Sequence, residues 1–405
     1  MPTIRRRPVL AALLATAALA APAAAQTPPP VKIAIMGDMS GPFADNGGPG
    51  SVLAARMAIE DFGNTVLGRP IQILTGDDQN KPDIGVAMAR KWLSEDKVDA
   101  ILTFTISPTA LGVQPLMTDA KKPHLIAGTG TADLTGRACS PMAINFIYDT
   151  HVMPKAIAQS LVAAGKDTWF FITVDYAFGA AMEASATRFV REAGGRVVGT
   201  AKHPLGTTDF ASQLLAAQAS GAKVVAFANA GADFTNVLKQ AGEFGLVRRG
   251  QTLASTGTTI NTIVAVGLEA AQGMQFTVPF YWDMNEETRT WSRRFMARFN
   301  NRAPTFLQSG AYSAVWHYLN AIKAAGTTDG EAVMARMKAT PINDFQMKNV
   351  QIRADGTTMR PMHIVQVKSP AESKEPYDVY RIVSSVPAEG LWRTVQEAGC
   401  AFAQN

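Results

Sequence analysis

Several short motifs that identify common enzymes are missing from this chain of 405 residues. It has no P-loop, no G-x-S-x-G turn, no G-x-G-x-x-G fingerprint and no H-E-x-x-H pair. The segment GTGT at 128–131 has two glycines of a dinucleotide turn but lacks the third. The five histidines are scattered, with no two of them three or four residues apart. We therefore expect no catalytic residue, no metal site and no cofactor, while an enzyme whose groups come from distant loops stays open as an alternative.

The first 25 residues have the composition of a secretory signal peptide. Three arginines at 5–7 precede an apolar stretch of 13 residues at 9–21, and three alanines follow at 23–25. A membrane-spanning helix needs about 20 apolar residues, so this stretch is short for an anchor. No later apolar run reaches that length, because charged residues, glycine and proline interrupt each one. We predict cleavage of residues 1–25 and a periplasmic location, with a retained anchor as the alternative.

Only two cysteines are present, Cys139 and Cys400. Exported proteins meet an oxidising environment, in which an even number of thiols usually pair. We predict a disulfide between them, which would tie the C-terminal tail to a loop near the middle of the chain.

Neither sign of charge is in large excess. The formal net charge is +5, and without the three arginines at 5–7 the remaining 35 basic and 33 acidic residues leave +2. Such a balance gives no basic surface for nucleic acid, so we expect no nucleic-acid partner.

Apolar strand-like runs alternate with amphipathic helical stretches from residue 31 to about 280. Runs such as VKIAIM and KVVAFA are apolar on both faces, which is typical of a parallel sheet covered by helices. The alternation predicts an α/β fold whose roughly ten strands divide into two lobes of five.

After residue 285 the pattern changes to three helices, at 285–300, 304–325 and 330–339, and three strands, at 346–353, 362–368 and 377–386. A turn at 354–356 is expected to join the first two of these strands as a hairpin.

Small polar residues follow two neighbouring predicted strands. The strand at 98–105 is followed by Ser107, Pro108 and Thr109 at the start of a helix, and the strand at 123–127 by Gly128, Thr129, Gly130 and Thr131. Ligands of open parallel sheets bind beyond the carboxyl ends of the strands. Hydroxyls and free N–H groups there, at the positive end of a helix, suit a carboxylate. The alternative for each residue taken singly is that it merely caps a helix or turn.

The second set of strands is followed by Tyr176 and Phe178, by Asn229, and by Thr256. An aromatic pair in these loops would clamp the apolar part of a ligand. Other aromatic wall candidates, most of which are expected to pack in cores instead, are Phe43, Phe104, Tyr148, Phe280, Tyr281 and Trp282.

Longer segments carry a family resemblance. The chain resembles the exported substrate-binding proteins of ABC importers, in the Leu/Ile/Val-binding branch with the type I periplasmic-binding fold, over residues 31–390. It looks closest to members that take up aromatic and related organic acids. The segments that carry the likeness are VKIAIMGDMSGPFADNGGPGSVLAARMAIEDF, GRPIQILTGDDQNKPDIGVAMARKWLSED, ISPTALGVQPL, GTGTADLTG and FFITVDYAFGAAMEASATRFVREAGG.

This resemblance implies two doubly wound parallel-sheet lobes joined by a three-strand hinge. The N-terminal lobe would comprise 31–149 plus 280–345, the C-terminal lobe 150–279 plus 346–390, and a tail 391–405. In the family, the loops matched by Ser107 to Thr109 and by Gly128 to Thr131 hold the ligand carboxylate, and an aromatic residue matched by Phe178 lies against the ligand. Amino-acid binders also carry an acidic residue that pairs with the ammonium, and the matching position here is Thr256.

A buried ammonium without a counter-charge is unfavourable, so the departure at Thr256 favours a carboxylate with an apolar tail. We therefore expect a monomeric receptor whose lobes close on a small-molecule carboxylate, such as a benzoate or phenylpyruvate type of compound, and whose partner is an ABC permease in the inner membrane.

The alternatives are a branched-chain amino-acid or amide binder, in which Asp175 or Asp233 replaces the missing acid, and an exported enzyme. The expected ligand-binding residues are Ser107, Pro108, Thr109, Gly128, Thr129, Thr131, Tyr176, Phe178, Asn229 and Thr256.

Overall fold

Two β-sheets organise the computed structural model, which describes residues 1–3, 28–175, 177–255 and 257–403. The side chains of residues 177 and 178 are outside this description. The signal peptide predicted at 1–25 lies outside the described residues apart from the first three. Among the described residues, no helix is both long and apolar enough to span a membrane.

The first sheet is parallel except at one edge. Its strand order is β2-β3-β1-β4-β5-β6, and β2 alone runs antiparallel to its neighbour. β1 and β4 are buried on both faces, as their apolar sequences predict. The strands are β1 (Val31–Gly37), β2 (Thr65–Val66), β3 (Arg69–Asp77), β4 (Ala100–Phe104), β5 (His124–Ile126) and β6 (Ala143–Asn145), and the helices between them are α1 (Gly48–Phe62), α2 (Pro82–Lys91) and α3 (Ser107–Asp119).

The chain then crosses to a second sheet, in which five parallel strands alternate with helices. These strands are β7 (Thr168–Val174), β8 (Arg196–His203), β9 (Val224–Ala228), β10 (Thr252–Ser255) and β11 (Gln275–Val278). The helices are α4 (Val152–Ala163), α5 (Ala177–Glu192), α6 (Ala211–Ala219), α7 (Gly231–Glu243), α8 (Ile260–Val266) and α9 (Leu268–Ala271).

The last third of the chain completes both lobes. Helices α10 (Glu286–Met296), α11 (Phe306–Ala325) and α12 (Gly330–Ala339) are followed by the short strands β12 (Gln351–Ile352) and β13 (Thr358–Met359). Then β14 (Met362–Val367) and β15 (Tyr380–Val386) extend the second sheet antiparallel, giving the order β15-β14-β11-β10-β9-β7-β8. A final helix, α13 (Val395–Ala398), lies in the tail.

The hairpin prediction is wrong in its second strand. The turn at 354–356 joins β12 to β13, whereas β14 pairs with β11 and β15. The reason is tertiary: Thr357 forms a bridge with Asn145, and the Thr358 hydroxyl donates to the Asn145 carbonyl over 2.9 Å. The hairpin therefore lies beside β6 of the first lobe. The chain was expected to return to the second lobe at residue 346, before this hairpin. The exact lobe division stays a proposal.

Three crossovers connect the lobes, at 146–151, 279–285 and 360–361. They meet at the buried guanidinium of Arg360, which is 3% exposed. Its Nη1 donates to the Phe146 carbonyl over 3.3 Å and its Nη2 to the Pro279 carbonyl over 2.6 Å. One side chain on the third crossover thus holds the backbones of the other two.

The predicted disulfide is confirmed, since Cys139 and Cys400 are bonded to each other.

Candidate functional site

The loop after β1 is shaped by one buried carboxylate. Asp38 is 2% exposed and accepts hydrogen bonds from the backbone N–H groups of Gly41 and Phe43, over 2.5 and 2.8 Å. It also accepts from the Ser40 N–H over 3.3 Å and from the side-chain amide of Asn80 over 2.7 Å. Because a short acidic side chain can replace backbone partners in this way, the sequence after β1 folds into a tight loop at the carboxyl edge of the sheet.

Phe104, at the end of β4, lies among three glycines. A Cβ placed on Gly37, Gly47 or Gly128 would come within 2.1, 2.7 and 2.3 Å of Phe104 atoms, respectively. Only residues without a side chain permit such close approach. Phe104 is 6% exposed, so it packs the base of the strand-end loops and is not an open wall for a ligand.

The two loops predicted to bind an anion are neighbours. β4 and β5 are parallel, with Thr103 opposite Ile126. The Thr129 hydroxyl donates to the Thr105 carbonyl over 2.8 Å and is fully buried in doing so. Thr129 therefore ties the second loop to the first.

These loops present several unused donors. Helix α3 begins at Ser107, so the N–H groups of its first turn have no acceptor within the helix. The Ser107 hydroxyl and the N–H groups of residues 128–131 have no acceptor among the described residues. The Thr131 oxygen accepts from the Asp133 N–H over 3.3 Å, which leaves its own hydrogen available. The arrangement can hold a carboxylate by uncharged donors at a helix N-terminus.

Thr109 and Pro108 are placed differently from the rest. The Thr109 side chain is fully buried, with its methyl group against α2, where a Cβ on Gly85 would be 2.3 Å away. Its hydroxyl faces the buried carboxyl group of Asp78, whose pKa is raised by burial. Thr109 can therefore offer its backbone N–H to the cleft, whereas its side chain lies behind the loop. The Pro108 ring is exposed and has no N–H.

Tyr148, on the first crossover, adds a further donor that the sequence identified only as an aromatic wall candidate. Its ring packs edge-to-face on Phe306 at 5.4 Å and lies against Gly130, where a Cβ would be 2.9 Å away. Burial raises the pKa of Tyr148 to about 12, so the hydroxyl keeps its proton at neutral pH. Among the described residues, Asn145 Nδ2 donates to the Tyr148 backbone carbonyl over 2.8 Å, and the Tyr148 hydroxyl itself forms no hydrogen bond. No sequence pattern marks it, because its position depends on the hinge.

The second lobe is described in part. Tyr176, Thr256 and the side chain of Phe178 lie outside the described residues, so their roles stay predictions. Asn229 is 3% exposed, and its Nδ2 donates to Nε2 of His203 over 3.3 Å. Its Oδ1 has no partner among the described residues.

The two acidic residues that could replace the missing acid both have partners. Asp175 pairs with Lys202 at 3.0 Å. Asp233 is buried and accepts from the Gly206 N–H over 3.1 Å. Neither carboxylate in this described part of the second lobe is a free counter-charge for an ammonium.

Contacts between the lobes close the mouth of the cleft. The Thr259 hydroxyl donates to Oδ1 of Asn46 over 2.8 Å, and Nδ2 of Asn261 donates to the Asp45 carbonyl over 2.5 Å. Asp45 is held in turn by Arg302 of the first lobe, at 2.8 Å. The structure is therefore a closed arrangement of the lobes.

The remaining aromatic candidates lie elsewhere. Tyr281 and Trp282 both donate to the Tyr377 carbonyl, over 3.0 and 2.8 Å, and are buried with Phe280. Phe43 is 41% exposed. None of the three buried aromatics forms a wall of the cleft.

Two α/β lobes, three crossovers and a cleft at the strand ends define a two-lobed solute-binding protein. The chain belongs to the periplasmic binding protein family, whose sequence profile matches residues 30–374. This finding confirms the predicted type I periplasmic-binding fold.

Known relatives agree with this membership. A periplasmic binding protein from Burkholderia mallei is 40% identical, with a TM-score of 0.84 over 93% of this chain and 99% of that one. A branched chain amino acid ABC transporter periplasmic ligand-binding protein from Burkholderia xenovorans LB400 is 35% identical, with a TM-score of 0.88 over 92% of this chain and all of that one. The Leu/Ile/Val-binding protein homolog 6 of Brucella melitensis biotype 1 is 26% identical over 324 residues, which are 78% of this chain and 81% of that protein.

A more distant structure shares the fold. It is a solute binding protein of an ABC transporter from Rhodopseudomonas palustris BisB5 in complex with 3,4-dihydroxy benzoic acid, and it is 23% identical. The TM-score is 0.77 over 88% of this chain and 97% of that one.

Proposed function

We propose that this protein is the periplasmic receptor of an ABC importer for a small organic carboxylate, with an aromatic acid as the best-fitting class. Two features of the cleft, taken together, support the proposal. Uncharged donors lie in the loops at Ser107 and at 128–131, whereas Asp175 and Asp233, which follow strands of the second lobe, already have partners in Lys202 and the Gly206 N–H. Such a site favours an anion without an attached ammonium.

The charge balance explains the preference. A carboxylate that enters the cleft loses water and regains hydrogen bonds from N–H and hydroxyl groups, and bonds to a charged group contribute about 1.5–3 kcal/mol each. An ammonium would lose its water without gaining an opposite charge from the described residues, which is unfavourable in a closed site. Neutral donors therefore select for acids and against zwitterions.

The ligand acts by favouring one arrangement of the lobes. Ser107 and the 128–131 loop belong to the first lobe, and Asn229 to the second, so a ligand that contacts both binds the closed state better than the open state. Closure would present surfaces of both lobes to an inner-membrane permease, and a monomer suffices for this. Export through the segment at 1–25 belongs to the same proposal.

A second candidate is a branched-chain amino acid. It is favoured by the 35% identical relative from Burkholderia xenovorans LB400, a branched chain amino acid ABC transporter periplasmic ligand-binding protein. The likeness to the dihydroxybenzoate-bound protein, at 23% identity, concerns the fold alone. The residues of the cleft must therefore decide between the two classes.

The test compares both classes on the same purified protein. We expect benzoate, 4-hydroxybenzoate or phenylpyruvate to raise the melting temperature and to give heats in titration calorimetry, and leucine to do neither. Binding of leucine without any of the acids would contradict the proposal, and so would chemical turnover of a bound acid.

A pair of variants then locates the carboxylate. Ser107→Ala should weaken binding of the acid by about 1–3 kcal/mol, or roughly 5- to 150-fold in Kd, because it removes a hydroxyl bonded to charge. Ser212→Ala is the matched control, since Ser212 is exposed on α6. Equal Kd values for the two variants would remove Ser107 from the site.

A further inference from the structure

The C-terminal segment after β15 is attached to both lobes. Leu391 and Trp392 are 1% and 6% exposed and pack in the hydrophobic cluster of the second lobe, with residues of α4, β7 and β14. Farther along, Cys400 is bonded to Cys139 of the first lobe. Residues 391–400, called the strap from here on, thus form a connection between the lobes in addition to the three crossovers.

The strap contacts the point where the crossovers meet. The indole Nε1 of Trp392 donates to the Arg360 carbonyl over 2.8 Å. The guanidinium of Arg360 in turn donates to the Phe146 and Pro279 carbonyls. Trp392 is therefore bonded to the third crossover, and through the Arg360 side chain it is linked to the other two.

The strap also contacts the loop that carries the proposed anion donors. Nη2 of Arg393 donates to the Ala132 carbonyl over 2.5 Å, and Ala132 directly follows Thr131. The same guanidinium lies 3.9 Å from the buried carboxylate of Asp149, which accepts from the N–H groups that begin α4. Arg393 thus joins the anion-binding loop to the first crossover.

Close backbone packing secures the far end of the strap. A Cβ on Gly136 would lie 2.8 Å from the Ala398 carbonyl, so the strap approaches the first lobe as closely as a glycine allows. Arg353 donates to the Arg393 carbonyl, and its Nε and Nη2 donate to Oδ1 and Oδ2 of Asp355 on the turn between β12 and β13. The segment is bonded along its length and not at the disulfide alone.

We propose that the strap is a disulfide-anchored restraint that limits how far the lobes separate and holds the 128–132 loop in its ligand-ready position. The physical reason is that a covalent end point in one lobe and a buried tryptophan in the other fix both ends of a short segment beside the hinge. Arg393 is a positioning residue in this device. The proposal concerns the hinge and needs no ligand for its test.

The first experiment removes the covalent end point. Cys139→Ser/Cys400→Ser is compared with the oxidised protein by hydrogen exchange and by small-angle X-ray scattering without ligand. We expect faster exchange in 128–135 and 146–151 and a larger radius of gyration, while the far-UV circular dichroism is unchanged. A lower melting temperature with unchanged exchange in those segments and unchanged radius would overturn the proposal, because the disulfide would then stabilise the fold without restraining the hinge.

A second experiment keeps the disulfide, so it applies even where the double variant does not fold. Arg393→Gln removes the charge toward Asp149, and Arg393→Lys retains it. We expect exchange in 128–135 to increase several-fold in the glutamine variant and to be partly restored in the lysine variant. Arg336→Gln is the control, since Arg336 lies exposed on α12. Exchange in 128–135 that matches this control would show that Arg393 does not position the loop.

Discussion

The Thr259 hydroxyl of the second lobe donates a hydrogen bond to the side-chain oxygen of Asn46 in the first lobe, over 2.8 Å. Asn46 is itself held by the Thr305 hydroxyl, which donates to its carbonyl over 2.6 Å. The contact therefore joins the rim of the second lobe to the start of α11. Such a bond exists only while the lobes are together, so it contributes to the free energy of closure and not to the folding of either lobe.

Replacing Thr259 by Val should shift the lobes toward the open state. One lost hydrogen bond amounts to about 0.5–1.5 kcal/mol, so the Kd of the ligand should rise roughly 2- to 10-fold. Scattering of the unliganded protein should show a larger radius of gyration. Thr262→Val is the control, because it removes the 3.4 Å contact between the two hydroxyls, which Thr259→Val also loses, and keeps the bond to Asn46. A Kd equal to that of wild type would mean that the bond does not contribute to closure.

Replacing Gly128 by Ala should destabilise the first lobe. The new Cβ would lie 2.3 Å from Cβ and 2.5 Å from Cα of Phe104, and backbone cannot move aside as a flexible side chain can. Overpacking of this kind costs about 1–3 kcal/mol in the free energy of unfolding, measured by urea denaturation. Gly257→Ala, in a strand-end loop of the second lobe, has its nearest atom 3.7 Å away and should change stability by less than about 0.5 kcal/mol. Equal losses in both variants would contradict the close approach.

Removing the Tyr148 hydroxyl should weaken ligand binding while keeping the fold. Tyr148→Phe retains the ring that packs on Phe306 and Gly130, so the loss is confined to one donor. If that donor reaches the bound acid, Kd should rise by about 5- to 100-fold, as measured by titration calorimetry. Tyr281→Phe loses a hydroxyl bonded away from the cleft and should leave Kd unchanged. The same Kd in both variants would place Tyr148 outside the ligand contacts.

Acid should destabilise the protein through histidines whose pKa is lowered in the folded state. Burial lowers the pKa of His124 and of His151 to about 3, and that of His363 to about 4. Between these values and about 6.5 the unfolded state binds more protons than the folded state, so stability falls as the pH falls through this window. Each such histidine contributes up to about 1.4 kcal/mol per pH unit.

The pH dependence can be assigned with one variant. The glutamine in His124→Gln cannot be protonated, so unfolding of the variant should take up about one proton fewer between pH 6.5 and 4. The slope of the unfolding free energy against pH should decrease by about 1.4 kcal/mol per pH unit. Urea denaturation at four or five pH values measures this slope, whatever the absolute stability of the variant. An unchanged slope would mean that His124 is protonated in the folded protein at these pH values.

Prediction from the sequence succeeded where local pattern and burial coincide. The doubly apolar runs VKIAIM and KVVAFA predicted the central strands β1 and β9 to within two residues, because a strand covered on both faces has few polar positions to confuse its pattern. The pairing of Cys139 with Cys400 followed from export and from an even count. The prediction of β14 as the partner of the preceding strand was wrong, because strand pairing depends on contacts far apart in the sequence.

The candidate site was likewise predicted in part from the sequence. The sequence identified the loops at Ser107 and Gly128, since glycines and hydroxyls after strands have a local cause. It did not indicate that the Thr109 side chain lies behind the loop, that Tyr148 supplies a hydroxyl, or that Arg393 contacts Ala132. Each of these depends on contacts between residues that are far apart in the sequence.

The sequence by itself determined the class of fold, the division into strands and helices, the disulfide partners and the polar strand ends, because each of these depends on composition or on periodicity along a short stretch. Only the tertiary structure decided which donors share the cleft, which acids are already paired, and how residues 391–400 reach across the hinge. Hydrogen bonds and ion pairs act over a few ångströms in space, and separation along the chain does not specify that distance.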